Sequence, residues 1–338
     1  MSHPSEPTLS DLGEDGVLRH LFSRLADLPD PSPELLVGPG DDTAYLQVGR
    51  ATLATTDVMV AGRDWLDEWS SPADVGVKLV NQNLADLAAM AGVGSALLLT
   101  LVAPPSLPAT WALGFIDGVV LAASAAGVSI AGGDLSSSLR EVSVSATALG
   151  HVGPGVADPV LRSGAAVGDL VAVSDELGRS AAGLEVLRRS AQDWFPPQQY
   201  GQRCASWVGY HTRPWPDLAQ GPRAGRAGAT SMLDISDGLL RDGGRIASAS
   251  KVTLDVDSAL LEVWMHPIAE VLGPEMARAC VHGGGEEHTL LATFEPGTIP
   301  SGWSEIGRVL TAHESNGVLL DGQAAPVEGW DHFSGASH

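Results

Sequence analysis

Only two cysteines occur in the 338 residues, Cys204 and Cys280, and they form no Cys-x-x-Cys pair. This excludes a disulfide framework and a paired-thiol zinc site, and both thiols are expected to be buried and reduced. Lysine is just as scarce, with only Lys78 and Lys251. Neither precedes Ser or Thr after the glycine spacing of a P-loop, so a Walker-type nucleotide site is excluded. The Gly-x-Gly-x-x-Gly dinucleotide fingerprint is missing too. Any nucleotide must therefore be held by other means. Positive charge is in short supply: 19 basic residues face 41 acidic ones, for a net charge of −22. Such a surface repels nucleic acid and anionic membranes, and neither is an expected partner. Apolar runs such as Ala96–Ala103 are far shorter than a membrane span. Residues Met1–Leu12 are polar, with no basic stretch leading into an apolar one. A signal peptide is not expected, and the chain reads as cytoplasmic.

What is present is enough apolar material, 44%, for sizeable cores, and enough length for two domains. Helical spacing predicts helices over Asp15–Leu25, Pro72–Met90 and Leu107–Ala125. Strands are predicted at Glu34–Val37, Ala51–Thr56, Ala96–Val102, Val128–Ala131 and Glu141–Val152, the last from the alternation of Val142, Val144 and Ala146. The Gly153-Pro154-Gly155 stretch is the best boundary, dividing an N-terminal domain at 1–155 from a C-terminal one at 156–338. Beyond it the pattern restarts, with strands at Leu170–Val173, Thr230–Leu233, Val252–Val256 and Leu290–Phe294 and helices at Ser180–Ser190 and Leu239–Ala249. Residues from Ser190 to about Pro222 look less regular. Both halves mix strands and helices, so the fold class is α/β (α+β) in two domains.

Apolar strands repeatedly run into acidic turns: Gly40-Asp41-Asp42, Thr55-Thr56-Asp57, Gly132-Gly133-Asp134 and Asp234-Ile235-Ser236-Asp237-Gly238. A carboxylate at a strand end is fixed by the sheet, and a neighbouring glycine lets backbone approach a ligand. Each motif alone is ordinary turn chemistry. Their recurrence suggests carboxylates converging around a cation, because converging carboxylates otherwise repel. Magnesium suits hard oxygen donors and keeps substrate phosphates as partners. Asp86 is set apart by lying on a predicted helix, where Lys78, Gln82 and Asp86 share one stripe and Asn83 is a turn away. Spacing alone leaves that stripe open between a solvated face and a functional one.

Taken in order, these motifs resemble a known family. They include Asn83-Leu84-Ala85-Asp86-Leu87-Ala88-Ala89-Met90, Arg162-x-Gly164-Ala165-x-x-Gly168-Asp169, Gly284-Gly285-Glu286 and Gly329-Trp330-Asp331-His332-Phe333. From about Gly13 to Phe333 the chain resembles the thiamine-monophosphate kinases, of the aminoimidazole ribonucleotide synthetase superfamily. That resemblance implies an N-terminal domain whose sheet pairs across a homodimer and a C-terminal α/β domain covering the site. It implies magnesium at Asp42, Asp57, Asp86 and Asp237, with Thr55, Thr56, Asp134 and Asp234 close by. It implies ATP as co-substrate, contacting Gly133, Asp134, Arg162 and Ser236. It places thiamine monophosphate near Asp64, Glu286 and Trp330, whose ring can stack on a cationic thiazolium. The implied chemistry is direct in-line transfer with no phosphoenzyme, and an acceptor phosphate largely ionised near neutral pH needs no strong general base.

The chain also departs from that pattern. Asp64-Trp65 stands where the family usually has His-Phe, Glu287-His288-Thr289 where it has Asp-Tyr-Glu, and Leu135-Ser136 where Thr-Thr often follows Gly-Gly-Asp. An ionised aspartate cannot donate to a phosphate as histidine can, so the adjacent Arg63 is the expected replacement donor. Two alternatives stand beside the kinase: another ATP-dependent enzyme of the superfamily, and a paralogue that binds thiamine phosphates without turnover. The first cysteine, Cys204, falls far from the N-terminal position that selenide chemistry uses, and the chain ends in His338 where the carbamoyl-dehydrating relatives use Cys.

Overall fold

A computed structural model describes residues 7–26, 35–37, 45–46, 52–312 and 317–325. The acidic turn at Asp41 and Asp42 and the segment containing Trp330 lie outside these residues. The chain divides into two units, one of 1–87 with 94–151, the other of 88–93 with 152–338. Single-boundary reading of the sequence does not anticipate that the short segment 88–93 belongs with the second unit.

The first unit contains α1 (Leu9–Ala26), β1 (Leu35–Val37), β2 (Tyr45–Leu46), β3 (Leu53–Val60), α2 (Pro72–Ala89), β4 (Gly92–Ala103), α3 (Ala109–Ala126), β5 (Ser129–Ser137) and β6 (Ser143–Val152). Its main sheet has the order β3-β6-β4-β5. β3 runs antiparallel to β6, with Thr55 opposite Ala148 and Asp57 opposite Ala146. β4 runs parallel to β5, with a register shift between Leu97 and Leu98. Val144, Ala146 and Ala148 are buried on one face of β6, as the alternation in sequence predicts. α2 and α3 touch through glycine: a Cβ on Gly118 would lie 2.0 Å from the carbonyl oxygen of Ala73, and one on Gly76 2.3 Å from that of Phe115. Backbone contact this close admits no side chain, so it fixes α2, and Asp86 with it. Although α3 is long and apolar enough to cross a membrane, 56% of it is buried, as in a core helix.

The second unit contains β7 (Leu170–Val173), α4 (Arg179–Ser190), α5 (Gly201–Thr212), α6 (Gln220–Ala227), β8 (Ser231–Asp234), α7 (Leu239–Ser250), β9 (Val252–Val256), α8 (Ser258–Leu272), α9 (Pro274–Gly283), β10 (Leu290–Phe294), β11 (Ser304–Thr311), β12 (Val318–Leu320) and β13 (Gln323–Ala324). The sheet order is β13-β12-β9-β11-β7-β10-β8. Both faces are covered. Val171, Val173, Leu233 and Leu291 pack with Leu177, Leu239 and Ile268 on one side. Ala172, Met232, Ala292 and Phe294 pack with Ala89, Ala91, Ala224 and Trp303 on the other. Burial on both faces fits the mostly apolar Leu-Leu-Ala-Thr-Phe of β10. Cys204 and Cys280 are buried free thiols. Burial pushes the Cys280 thiol up to about 12 and raises that of Cys204.

Candidate functional site

In the first unit the chemistry gathers on β3 and α2. Alternation along β3 puts Leu53, Thr55, Asp57 and Met59 on the more buried face, and Ala54, Thr56 and Val58 on the exposed one. The Thr55 hydroxyl donates to Asp86 Oδ2 at 2.6 Å. Asp57 follows Thr55 by two residues, about 7 Å along the same face. Thr56 turns the other way, bonding the Ala146 carbonyl at 3.0 Å and receiving the Thr147 hydroxyl at 3.1 Å. The helix stripe is not a solvated face: Lys78 is 3% exposed and donates to the Asp64 carbonyl at 3.0 Å. Asn83 is fully buried, and its amide donates to the Leu79 carbonyl at 2.8 Å instead of joining Asp86.

Asp57 sits within β3 and Asp134 within β5, where strand ends are expected from sequence. β3 and β5 form opposite edges of their sheet. Three strand spacings separate them, about 14 Å, so Asp57 and Asp134 do not converge on one ion within this sheet. Gly133 is needed for packing, since a Cβ there would lie 2.2 Å from the Leu99 carbonyl oxygen.

The turn after β3 carries Arg63 and Asp64. Asp64 Oδ2 accepts the Val60 amide at 2.7 Å, so the carboxylate closes its own turn. Trp65 and Trp111 both donate their indole N–H to Asp67 Oδ1, at 3.0 and 3.2 Å, and their rings lie 6.0 Å apart. Arg63 is exposed.

In the second unit the Asp-x-Ser-Asp-Gly segment links β8 to α7. Asp234, 5% exposed, ends β8 and lies 3.2 Å from His288 Nδ1. Asp237 meets Arg245 and lies 3.8 Å from Arg241 Nε. Sequence reading passed over the residue that organises the segment, Asp242. One of its carboxylate oxygens accepts the amides of Ser236, Asp237 and Gly238 at 3.0, 2.8 and 3.1 Å, and the other binds Arg245. Burial pushes Asp242 up to about 6, against the pull of the Asp237 amide and of Arg245.

The loop 283–289 packs backbone to backbone on that segment. Glu286 and His288 donate their amides to the carbonyls of Ser236 and Ile235, each at 2.8 Å. A Cβ on Gly285 would lie 2.6 Å from the Ser236 oxygen. Glu286 and His288 both hold positive φ, 57° and 54°, an uncommon state for side-chain-bearing residues. Between them Glu287, 1% exposed, accepts Arg179 Nε at 2.8 Å and the Ser180 amide at 3.1 Å. Burial raises the Glu287 carboxyl, opposed by Arg179. Arg179 also stacks over Tyr210, 4.0 Å from the ring centre. Ser180 Oγ and the Glu286 carboxylate both face His211 Nδ1, at 3.0 and 3.4 Å. Arg162 is exposed on a loop that Ser250 ties down through the Gly164 and Ala165 amides. The neighbouring Asp169 closes its own turn on the Ala166 amide.

Among the described residues, no three His, Cys, Asp or Glu side chains form a ready-made metal cage. The donors that do come together, the Thr55 hydroxyl and the Asp86 carboxylate, are hard oxygens. They suit a cation such as magnesium, which needs few protein ligands and keeps water and phosphate.

Comparison with known proteins gives consistent likenesses. A family profile described as AIR synthase related protein, N-terminal domain, matches residues 40–152. A thiamine-monophosphate kinase of Mycobacterium tuberculosis is 39% identical over 332 residues, covering 97% of this chain and 93% of that protein. The crystal structure of a thiamine-monophosphate kinase from Stenotrophomonas maltophilia K279a is similar, with a TM-score of 0.78 and 30% identity, covering 96% of this chain and all of that one. A structure described as AaThiL complexed with AMPPCP and TMP has a TM-score of 0.75 at 29% identity, covering 97% and 99% of the two chains.

Proposed function

Because the chain belongs to the thiamine-monophosphate kinase family, we propose that it transfers the γ-phosphoryl group of ATP to the phosphate of thiamine monophosphate, yielding thiamine diphosphate and ADP. The observation that carries this reading is the near-complete overlap with a relative described with both AMPPCP and TMP. In the first unit Asp57 and Asp86 hold magnesium, with Thr55 fixing the Asp86 carboxylate; in the second unit Asp234 and Asp237 serve as oxygen donors. Bound magnesium supplies charge neutralisation between two anionic reactants. Thr56 is left out of this set, because its side chain points to the opposite face of β3. Asp134 and Gly133 act on their own sheet edge, toward the nucleotide, as do Arg162 and the Ser236 hydroxyl on theirs. Asp42 and Trp330 complete the proposed set. No general base is assigned, since an ionised phosphate needs none. Formation of thiamine diphosphate from ATP and thiamine monophosphate, with and without EDTA, tests the reading. No product with magnesium present would leave a binding protein without turnover.

On the substrate side, Arg63 donates to the acceptor phosphate and Asp64 supports the turn. Asp64→Ala is expected to keep turnover within about tenfold, roughly 1.4 kcal/mol. Arg63→Ala is expected to raise KM for thiamine monophosphate at least about tenfold and leave that for ATP unchanged. Steady-state kinetics decide: an inactive Asp64→Ala beside a silent Arg63→Ala would reverse the assignment.

We also propose a homodimer paired through the first unit. Val58 on β3 is 62% exposed and Leu98 on β4 39% exposed, two apolar side chains on one sheet with β6 between their strands. Light scattering at micromolar concentration should give twice the 34.9 kDa chain mass. A single-chain mass would refute pairing.

A further inference from the structure

Three successive amides pointing at one oxygen is the arrangement by which a turn binds an anion. Here the anion is built in. Asp242 is 0% exposed and takes the Ser236, Asp237 and Gly238 amides, so these donors are spent before any phosphate arrives. Only the side chains of Ser236 and Asp237 remain to face a ligand. The free oxygen of Asp242 holds one nitrogen of Arg245, and the other guanidinium nitrogen is thereby delivered to Asp237 Oδ2. A planar fork can span two carboxylates in this way, whereas an ammonium cannot. The Arg245 side chain is 35% exposed while Asp242 is fully buried, so the guanidinium can move into water while its anchor stays fixed.

We propose that Arg245 is a positioning residue and resident counter-ion of Asp237, held in place by Asp242, and that it sets how tightly the second unit binds a divalent cation. A cation approaching Asp237 must share or displace a full positive charge already bonded to it. Arg241 Nε, 3.8 Å from the same oxygen, stays in place, so removing the closer Arg245 charge strengthens cation binding more than the looser hold on a short aspartate side chain weakens it. This rests on Asp237 being a cation ligand, as in the functional reading above.

Titrating the full-length, nucleotide-free protein with Mn2+, with free ion followed by electron paramagnetic resonance, tests the inference. Arg245→Gln is expected to bind Mn2+ at least tenfold more tightly, equal to about 1.4 kcal/mol. Arg245→Lys keeps a charge for Asp242 but cannot bridge, and should tighten binding about threefold, which covers the case of a poorly folded Gln variant. Adding Asp237→Asn should abolish the gain. Unchanged or weaker Mn2+ binding in the Arg245 variants overturns the inference, as does a gain that persists without Asp237. If Asp237→Asn alone leaves Mn2+ binding untouched, the metal assignment falls and the inference falls with it. If Asp237→Asn weakens binding but Arg245→Gln does not tighten it, the inference alone fails.

Discussion

Asp86→Asn is expected to lower kcat/KM at least about 100-fold, roughly 2.7 kcal/mol of transition-state stabilisation, while unfolding within a few degrees of the unaltered protein. The asparagine keeps the size of the side chain and an oxygen for the Thr55 hydroxyl, which reaches Asp86 at 2.6 Å. What it loses is the negative charge, and a hard cation beside two phosphates depends on that charge. The structural cost is small, because a part-buried neutral hydrogen bond contributes only about 1 kcal/mol. A solvated helix residue would behave differently, changing neither rate nor stability. Turnover near the original value, at saturating and at limiting magnesium, would remove Asp86 from the site.

Glu287→Ala is expected to destabilise the protein by about 3 kcal/mol, because it leaves the Ser180 amide without its acceptor and Arg179 with only the more exposed Asp175 carboxylate, at 3.0 Å. For a unit of this size that corresponds to a fall of roughly 10 °C in Tm. The damage should not stay in the core. Glu286 and His288, on either side, hold positive φ, and such strain persists only where surroundings impose it. Freed of the anchor, the loop can relax and carry Glu286 away from His211. Activity per folded molecule should therefore fall as well. Glu287→Gln, which still accepts the Ser180 amide, should lose clearly less. Differential scanning calorimetry on both variants distinguishes this from a peripheral ion pair, for which both would change stability by under about 1 kcal/mol.

The fold was legible where burial leaves a local signature. β7, β9 and β10 match the predicted strands residue for residue, and α2 begins at the predicted Pro72 and ends one residue short of the predicted Met90. α5 and α6 were not legible, and α6 shows why: Gln-Gly-Pro-Arg-Ala-Gly-Arg-Ala is poor helix material, kept helical by the buried Gly221, Pro222 and Ala224. α8 likewise runs from Ser258 through Pro267 to Leu272, although proline usually ends a helix. The candidate site was legible as residue types and less so as geometry. Period-two alternation separates Thr56 from its neighbours, and strand order separates Asp57 from Asp134. The second does not follow from motif spacing, because strand order is a long-range property. Asp242 was hidden differently: it looks like an ordinary first-turn acid of α7, and only the fold shows three amides meeting it. Asp64, expected to depart from the family pattern, has a local structural role through its bond to the Val60 amide.

Residues 88–93 belong with the second unit although both flanks belong to the first. Ala89 and Ala91 enter the core that holds Ala224 and Phe294, and the Ala91 carbonyl accepts the Gly153 amide at 2.8 Å. During synthesis this segment leaves the ribosome well before the partners it needs, which begin beyond residue 152. The first unit can complete its own sheet while residues 88–93, the end of α2 and the start of β4, still wait for those partners. The order of assembly is thus written into the connectivity: the second unit cannot close without a piece delivered by the first. A cut at the Gly153-Pro154-Gly155 stretch, natural as it looks in the sequence, would not yield two whole halves, because the C-terminal fragment would leave Ala89 and Ala91 behind.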